Sequence, residues 1–257
     1  MTLEHILQKL EAAGIENARF EATQLINALR GDALARAVER RCTGYPLQYL
    51  IGEWDFFRQT YEVGEDCLIP RADTELLVEK AIALLPPNAH FLDLCTGSGC
   101  IAISTLCERP DVCGVAVDLF PRTLALAGRN AERNGVTDRL ALRLANVLIS
   151  PAAELADACF DAIFSNPPYI RNDVVPTLQA EVQFEPKAAL LGGEDGLDFY
   201  RAILSHWGAL LKPDGFFLFE IGYDQAQDLE ALAAEHCFSC TVFRDLGGND
   251  RVVLLRR

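Results

Sequence analysis

Apolar positions in the first forty residues recur at helical spacing. Leu3, Ile6, Leu7 and Leu10 stand at i, i+3, i+4 and i+7, one face of a helix that Gly14 closes. "ARFEATQLINALRG" carries a second face through Leu25, Ile26 and Leu29 and ends at Gly31. "DALARAVERRC" predicts a third helix, with Asp32 placed to cap its start. Three short helices bury little alone, so this unit is expected to pack on something larger. In "YLIGEWDFFRQTYEVGEDCLIP" aromatic and β-branched residues alternate around polar turns, which predicts a short hairpin. "RADTELLVEKAIALL" then reads as a helix that Pro86 and Pro87 stop.

From there the pattern alternates. "HFLDL", "VCGVAVD", "RLALRLA", "FDAIFS" and "GFFLFEI" read as strands, and "FSCTVFRD" and "RVVLLRR" finish the chain as two more. Between them "GCIAISTLCER", "PRTLALAGRNAERNG", "LDFYRAILSHWGALL" and "DQAQDLEALAAEH" read as helices, and a loop with a short helix precedes the fourth strand. Pro121 starts the second of these helices and Gly135 ends it. Strands this apolar, alternating with helices, imply an α/β fold with a mostly parallel, Rossmann-like seven-stranded sheet covered on both faces. Only "LGGND" separates the last two strands, so they are expected to pair antiparallel at the edge. The expected division is a helical unit at 1–45, a hairpin linker at 46–70 and an α/β domain at 71–257.

Charge sharpens the division. The 257 residues carry a formal net charge of -14. Residues 1–60 hold 7 Lys or Arg against 8 Asp or Glu, leaving 16 against 29 in the remainder. So acidic a body repels nucleic acid and anionic membrane, and neither is expected as a direct partner. Nine cysteines, several within apolar runs, read as buried thiols in a reducing compartment rather than a disulfide framework. "CFSC" beside His236 has no second pair at zinc spacing, so no metal site is assigned. "MTLEHILQKLEAAG" is too acidic for a signal peptide, and no run approaches the roughly 18 apolar residues that span a bilayer. A cytoplasmic protein is expected.

In an open α/β sheet, ligands sit at the carboxyl ends of the strands. The first sheet strand ends in "DLCTGSG", where Gly97 and Gly99 let the backbone approach a ligand. Asp118 ends the second, 19 residues after Gly99, and an acid there can accept both hydroxyls of a ribose. Three readings fit. "GSGCIA" matches a loose dinucleotide fingerprint, S-adenosylmethionine also carries a ribose, and the glycines can serve a tight strand-to-helix turn alone. Asp93 favours S-adenosylmethionine, since a carboxylate there would crowd a pyrophosphate but attract a sulfonium and an ammonium.

The fourth strand delivers "NPPY" to the same edge. A planar NH2 group has a delocalised lone pair, so methylating it requires acceptors that hold both N–H groups and direct the lone pair at the methyl. The Asn166 side-chain oxygen and the Pro167 carbonyl can do this rigidly, because Pro167 and Pro168 have fixed φ. Tyr169 would stack on the flat group and exclude water. Asn-Pro and Pro-Pro also punctuate ordinary turns; the glycine turn and Asp118 at neighbouring strand ends favour the catalytic reading.

"DLCTGSGCIAI", "AVD" and "SNPPYI" resemble the S-adenosylmethionine-dependent methyltransferases that act on planar NH2 groups. "YPLQYLIGEWDFF", "LIPRADTELLVE", "EPKAALLGGEDGLDFYRAIL", "LFEIGYDQ" and "DLGGNDRVVLL" narrow the match to the release-factor glutamine N5-methyltransferases, from about Arg40 to the C-terminus. The resemblance implies methylation of the GGQ-loop glutamine of peptide-chain release factors, with S-adenosyl-L-homocysteine as product. It implies cofactor contacts at Cys95, Thr96, Gly97, Ser98, Gly99, Asp118, Asn146, Val147 and Asn166, beside the contact already expected at Asp93. Substrate contacts fall on Asn166, Pro167, Pro168 and Tyr169, with Leu68 as an apolar wall for the glutamine, and Asn166, Pro167 and Tyr169 carry the catalysis. The helical unit becomes a substrate-recognition domain, and a monomer is expected. Arg71, Thr74 and Glu75, from "PRADTE", either order the rim of the site or cap the following helix.

Two features depart from the family pattern. "ANVLIS" places Asn146 and Val147 where the family has an Asp, often with an aromatic, which implies weaker cofactor binding. The helical unit is also shorter, which leaves partner docking less determined than the chemistry. Alternative readings are a glutamine methyltransferase of a ribosomal protein, an adenine-N6 methyltransferase of nucleic acid, which the acidic charge disfavours, and a binding module without catalysis.

Overall fold

The computed structural model describes residues 1–151, 155 and 158–257. The three amphipathic helices form as α1 (Leu3–Ala12), α2 (Ala18–Ala28) and α3 (Gly31–Arg41). The Thr2 side chain caps α1 by accepting from His5 N at 3.3 Å. Two expectations shift by a residue or two. Gly31 opens α3 instead of closing α2, and Asp32 lies in the first turn of α3, where Arg30 is the cap. An acid there still complements the helix dipole. Ile6, Leu10, Leu25, Leu34 and Val38 meet in a cluster that extends to Leu47 on α4 (Leu47–Ile51).

The hairpin is β1 (Glu53–Phe56) against β2 (Gln59–Glu62). A 3-10 turn at Ala72–Thr74 leads into α5 (Glu75–Leu84), which stops before Pro86. The sheet follows with β3 (His90–Leu94), α6 (Cys100–Glu108), β4 (Cys113–Asp118), α7 (Pro121–Arg133), β5 (Leu140–Leu144) and β6 (Phe160–Ser165). After a long connection come α8 (Asp198–Ala202), β7 (Leu211–Glu220), α9 (Ala226–Glu235), β8 (Ser239–Arg244) and β9 (Asp250–Arg256). The seven strands lie in the order β5-β4-β3-β6-β7-β9-β8. Those from β5 to β7 are parallel, and β9 runs against both β7 and β8 to make the antiparallel edge.

Neighbouring residues on one strand face opposite cores, as the strand period of two demands. Phe91, Ala162, Phe216 and Val252 join the core under α5 and α6. Leu92, Ile163, Phe217 and Val253 join the core on the other face. Each fully buried Leu or Phe contributes about 1.5–3 kcal/mol, so both faces need their helices.

Three expectations are corrected. The helix over "LDFYRAILSHWGALL" is α-helical only through Ala202, then passes into a π-turn at Ile203–Trp207 and a 3-10 turn at Gly208–Leu210. The fifth strand begins at Leu211, because its register with β6 shifts between Phe160 and Ala162 and extra residues bulge at its start. The cysteines are all free, but Cys113, Cys159 and Cys237 are exposed. The short helix expected before β6 falls on a stretch in which 152–154 and 156–157 lie outside the described residues. Among the described residues no helix is long and apolar enough to cross a membrane.

The helical unit is tied to the rest by Arg41, whose side chain is 2% exposed. It donates to Glu21 Oε1 at 2.9 Å and also to Glu181, in the connection after β6. Removing one partner of a buried pair leaves an uncompensated charge. Glu21→Ala is expected to cost about 3 kcal/mol in a urea unfolding titration, and Met in place of Arg41 in the same chain should restore much of it.

Candidate active site

The registers bring three strand ends level. Leu94 of β3 pairs with Val117 of β4 on one side and with Ser165 of β6 on the other. The Ser165 hydroxyl donates to the Leu94 carbonyl at 2.7 Å and pins the second junction. The residues that follow therefore emerge together: the turn from Cys95 to Gly99, Asp118, and Asn166. Cys95, Thr96, Gly97, Ser98, Asp118 and Asn166 border a cavity of about 460 Å³, within the range of small-molecule sites.

The glycine turn is built for close approach. Cys95, Gly97 and Gly99 have φ of 61°, 56° and 83°, a region costly for a side chain. A Cβ on Gly99 would meet Ile103 Cδ1 at 2.8 Å, so this glycine serves packing against α6. A Cβ on Gly97 would meet nothing within 4 Å, so the space beside it belongs to the cavity. Asp118 crosses to this turn, with Oδ2 accepting from Gly97 N at 3.0 Å and Oδ1 from Phe120 N at 3.1 Å. Burial pushes its carboxyl up and these backbone donors oppose the shift. Each oxygen keeps a further lone pair for a hydroxyl.

Cys95, Thr96, Gly97, Ser98, Asp118, Asn146, Val147, Asn166, Pro168 and Leu68 line the cavity. Asp93, Gly99, Pro167 and Tyr169 are not among its lining residues, though Pro167 and Tyr169 flank Pro168, which is. Asp93 is fully buried and holds the turn, accepting from the Thr96 hydroxyl at 2.6 Å, so its carboxylate does not face the cavity as expected. Burial lifts it to about 7. Pro167 is buried, and among the described residues no donor takes its carbonyl. Tyr169 is half-buried, packs against the core beneath the sheet edge and donates its hydroxyl to Glu220 Oε1 at 3.4 Å.

Asn166 Nδ2 donates to Thr74 Oγ1 at 3.3 Å, which commits the donor end of the side chain and leaves the oxygen for the cavity. Thr74 makes no side-chain cap for α5, so of the two roles weighed for it the rim contact is the one formed. Glu75 ties the same helix to the hairpin by accepting from Phe57 N at 2.8 Å. Arg71 pairs with Glu185, whose other oxygen accepts from Ile69 N at 3.0 Å.

Several residues that hold the site carry no local sequence signal. Asn130, buried on α7, donates to Ser98 O at 2.9 Å and exchanges two hydrogen bonds with Glu62 of the hairpin. Trp207 Nε1 donates to Val147 O at 3.0 Å and Ile149 O at 3.1 Å, fixing the "NVLI" loop. Gln225 donates to Tyr169 O at 3.1 Å and Gly196 O at 3.2 Å. Gly192 lies so close to the motif that a Cβ there would sit 2.7 Å from Tyr169 Cα.

A methyltransferase small domain model matches residues 72–191. The release factor glutamine methyltransferase of Geobacter sulfurreducens is 39% identical over 95% of this chain and 91% of its own length. That of Moorella thermoacetica is 37% identical over 100% and 99%. The chain belongs to the release factor glutamine methyltransferase family. A solved methyltransferase from Pyrococcus furiosus shares the fold, with a TM-score of 0.57 and 20% identity over 76% of this chain and 87% of that one. Within the family's fold, Gln225 ties the last residue of "NPPY" to Gly196 in the following connection. Gln225→Ala strands two carbonyls and the Gly222 N–H it also satisfies. A loss of about 1–3 kcal/mol in unfolding free energy is expected, measured by urea titration.

Proposed function

We propose that this protein transfers a methyl group from S-adenosylmethionine to the side-chain nitrogen of the GGQ-loop glutamine in peptide-chain release factors. One observation carries the reading. Asn166 offers an acceptor, its donor end held by Thr74, on the same cavity as Asp118 and the open space beside Gly97. The relatives at 39% and 37% identity support the substrate.

The donor set fits the cofactor better than a dinucleotide. Asp66, Asp118 and Asp198 line the cavity against Arg71 alone among the described cationic residues, and Arg71 is already paired with Glu185. Such a field favours a cation and repels a pyrophosphate. S-adenosylmethionine, when bound, supplies an activated methyl on a sulfonium whose departure as a thioether needs no acid. Asp118 would hold the ribose hydroxyls, Gly97 the close backbone approach, and Asn146 and Val147 the adenine end. Asn146 Oδ1 already accepts from Leu148 N at 3.0 Å, so it has one lone pair left to offer.

The remaining work is positioning. Asn166 Oδ1 and the Pro167 carbonyl take the two N–H groups of the glutamine, so that its lone pair points at the methyl. The nitrogen loses a proton to solvent after the new bond forms, and no protein nucleophile takes part. Tyr169, its hydroxyl held by Glu220, covers the amide from beside Asn166, and Leu68 supplies an apolar wall. The acidic net charge and nine free thiols fit a reducing, cytoplasmic setting without nucleic acid, and the protein is taken to act as a monomer.

Mass spectrometry of a release factor after incubation with enzyme and cofactor is expected to find one methyl on the GGQ glutamine. An unmodified glutamine there, beside a methylated ribosomal protein, would overturn the substrate. Asn166→Ala should lower turnover at least about a hundredfold and leave cofactor affinity largely intact. Asp118→Ala should weaken cofactor binding about 10–100-fold by calorimetry, the worth of hydrogen bonds to a charged group.

A further inference from the structure

We propose that Arg71 is a substrate-binding residue, donating from its guanidinium to a main-chain carbonyl beside the target glutamine. The proposal rests on the cavity being the site of glutamine methylation. Arg71 follows Leu68, Ile69 and Pro70 along one wall of that cavity, where its side chain is 37% exposed. Nη2 donates to Glu185 Oε1. Nε and Nη1 have no hydrogen-bond partner among the described residues. Their N–H groups lie in one rigid plane and are left for a ligand.

The neighbours of Arg71 place it at the methyl-acceptor end. Glu185 opens the segment that runs beside the residues after "NPPY". In that segment Leu190 O accepts from Ile170 N at 3.0 Å, and Gly192 N donates to Ile170 O at 2.8 Å. Pro186, Ala188 and Ala189 of the same segment line the cavity. Thr74, on the turn that Arg71 precedes, holds Asn166. The cofactor contacts read at Gly97, Asp118 and Asn146 follow the other strands, β3, β4 and β5.

Glu185 fixes both the direction and the charge of Arg71. Its side chain is 1% exposed, and its other oxygen accepts from Ile69 N at 3.0 Å, so the carboxylate is fully engaged. The ion pair is close to neutral as a unit. Its free edge can offer hydrogen bonds without repelling a sulfonium. An anionic acceptor, such as the cofactor's own carboxylate or an acidic side chain, would find the charge of Arg71 already answered, and would face Asp66 and Asp198 on the same cavity. The side-chain oxygen of the glutamine is also a poor partner. A cation there draws the nitrogen lone pair into the carbonyl and away from the methyl. A main-chain carbonyl has neither defect. In a helix or strand that carbonyl already takes a backbone N–H, so Arg71 selects a glutamine displayed on an irregular loop.

The test is steady-state methylation of a release factor by wild type, Arg71→Lys and the double variant Arg71→Gln/Glu185→Gln, with cofactor affinity measured by calorimetry. Lys keeps a charge opposite Glu185 but loses the planar fork, its one ammonium being taken by the carboxylate. The paired glutamines remove both charges together, so neither is left buried alone, and the double variant decides the matter if Arg71→Lys fails to fold. Each variant is expected to raise KM for the release factor about tenfold, the worth of one hydrogen bond to a charged group, with kcat and cofactor affinity within about twofold of wild type. The ratio of variant to wild-type KM should be the same at roughly 50 and 300 mM salt, because the partner is uncharged. Wild-type KM in either folded variant overturns the proposal. Weaker cofactor binding with KM for the release factor unchanged assigns Arg71 to the cofactor carboxylate, and a KM ratio that shrinks with salt assigns it to an acidic side chain. A fall in kcat alone assigns it to the reacting amide. Each of these also overturns the proposal. No methyl on the glutamine with wild-type enzyme would instead overturn the substrate reading itself.

Discussion

Leu94 pairs with Val117 on one side and Ser165 on the other, so three parallel strands stop at one level. Each ends on, or is followed at once by, a residue of the site. Asp118 closes β4 and reaches the glycine turn after β3 through one hydrogen bond, while Asn166 follows β6 directly. The placement of these residues is inherited from the sheet. A slip of one residue in β6 would turn Ile163 and Phe164 to the wrong cores and carry Asn166 off the cavity edge. The two apolar clusters that make such a slip costly thereby fix the placement of the polar groups.

Much of this was legible in the sequence, for a physical reason. Strands buried on both faces must be apolar throughout, so "HFLDL" and "FDAIFS" stand out, and the turns between strand and helix need glycine where φ is positive, as at Gly97 and Gly99. The residues that hold the site were not legible. Thr74 lies 92 positions from Asn166, and Trp207 lies 60 from the carbonyl it takes on Val147. Their partners are backbone carbonyls or hydroxyls brought near by the fold, and no local periodicity marks such a contact. Asp93 shows the converse. Its motif position suggested a carboxylate aimed at a cationic ligand, whereas the structure buries it to hold Thr96.

The connection between β6 and α8 links the site to the helical unit. Arg41 grips Glu181, and the Tyr45 and Phe184 rings meet edge-on with centroids 5.4 Å apart. Next to them Glu185 holds Arg71 and Ile69 N, and Pro186 and Ala189 line the cavity. A substrate that pressed on the helical unit would therefore press on the cavity wall through a buried charge and an aromatic contact.

Transfer to an amide nitrogen makes unusual demands on such a site. The methyl is activated before it arrives, so a strong acid or nucleophile would add nothing, and a free cation would work against the ligand. The structure follows that logic: its cavity is acidic, the lining Arg71 is paired, and its thiols at Cys67 and Cys100 are pushed up to about 12 by burial and stay neutral. What the chemistry does need is an oxygen that cannot rotate away. A lone asparagine at a cavity edge can rotate its amide freely, since both ends have nearly the same shape. Holding one end against the buried Thr74 hydroxyl removes that freedom. Backbone rigidity from Pro167 and Pro168 is therefore half of the positioning, and the hydrogen bond from Asn166 to Thr74 is the other half.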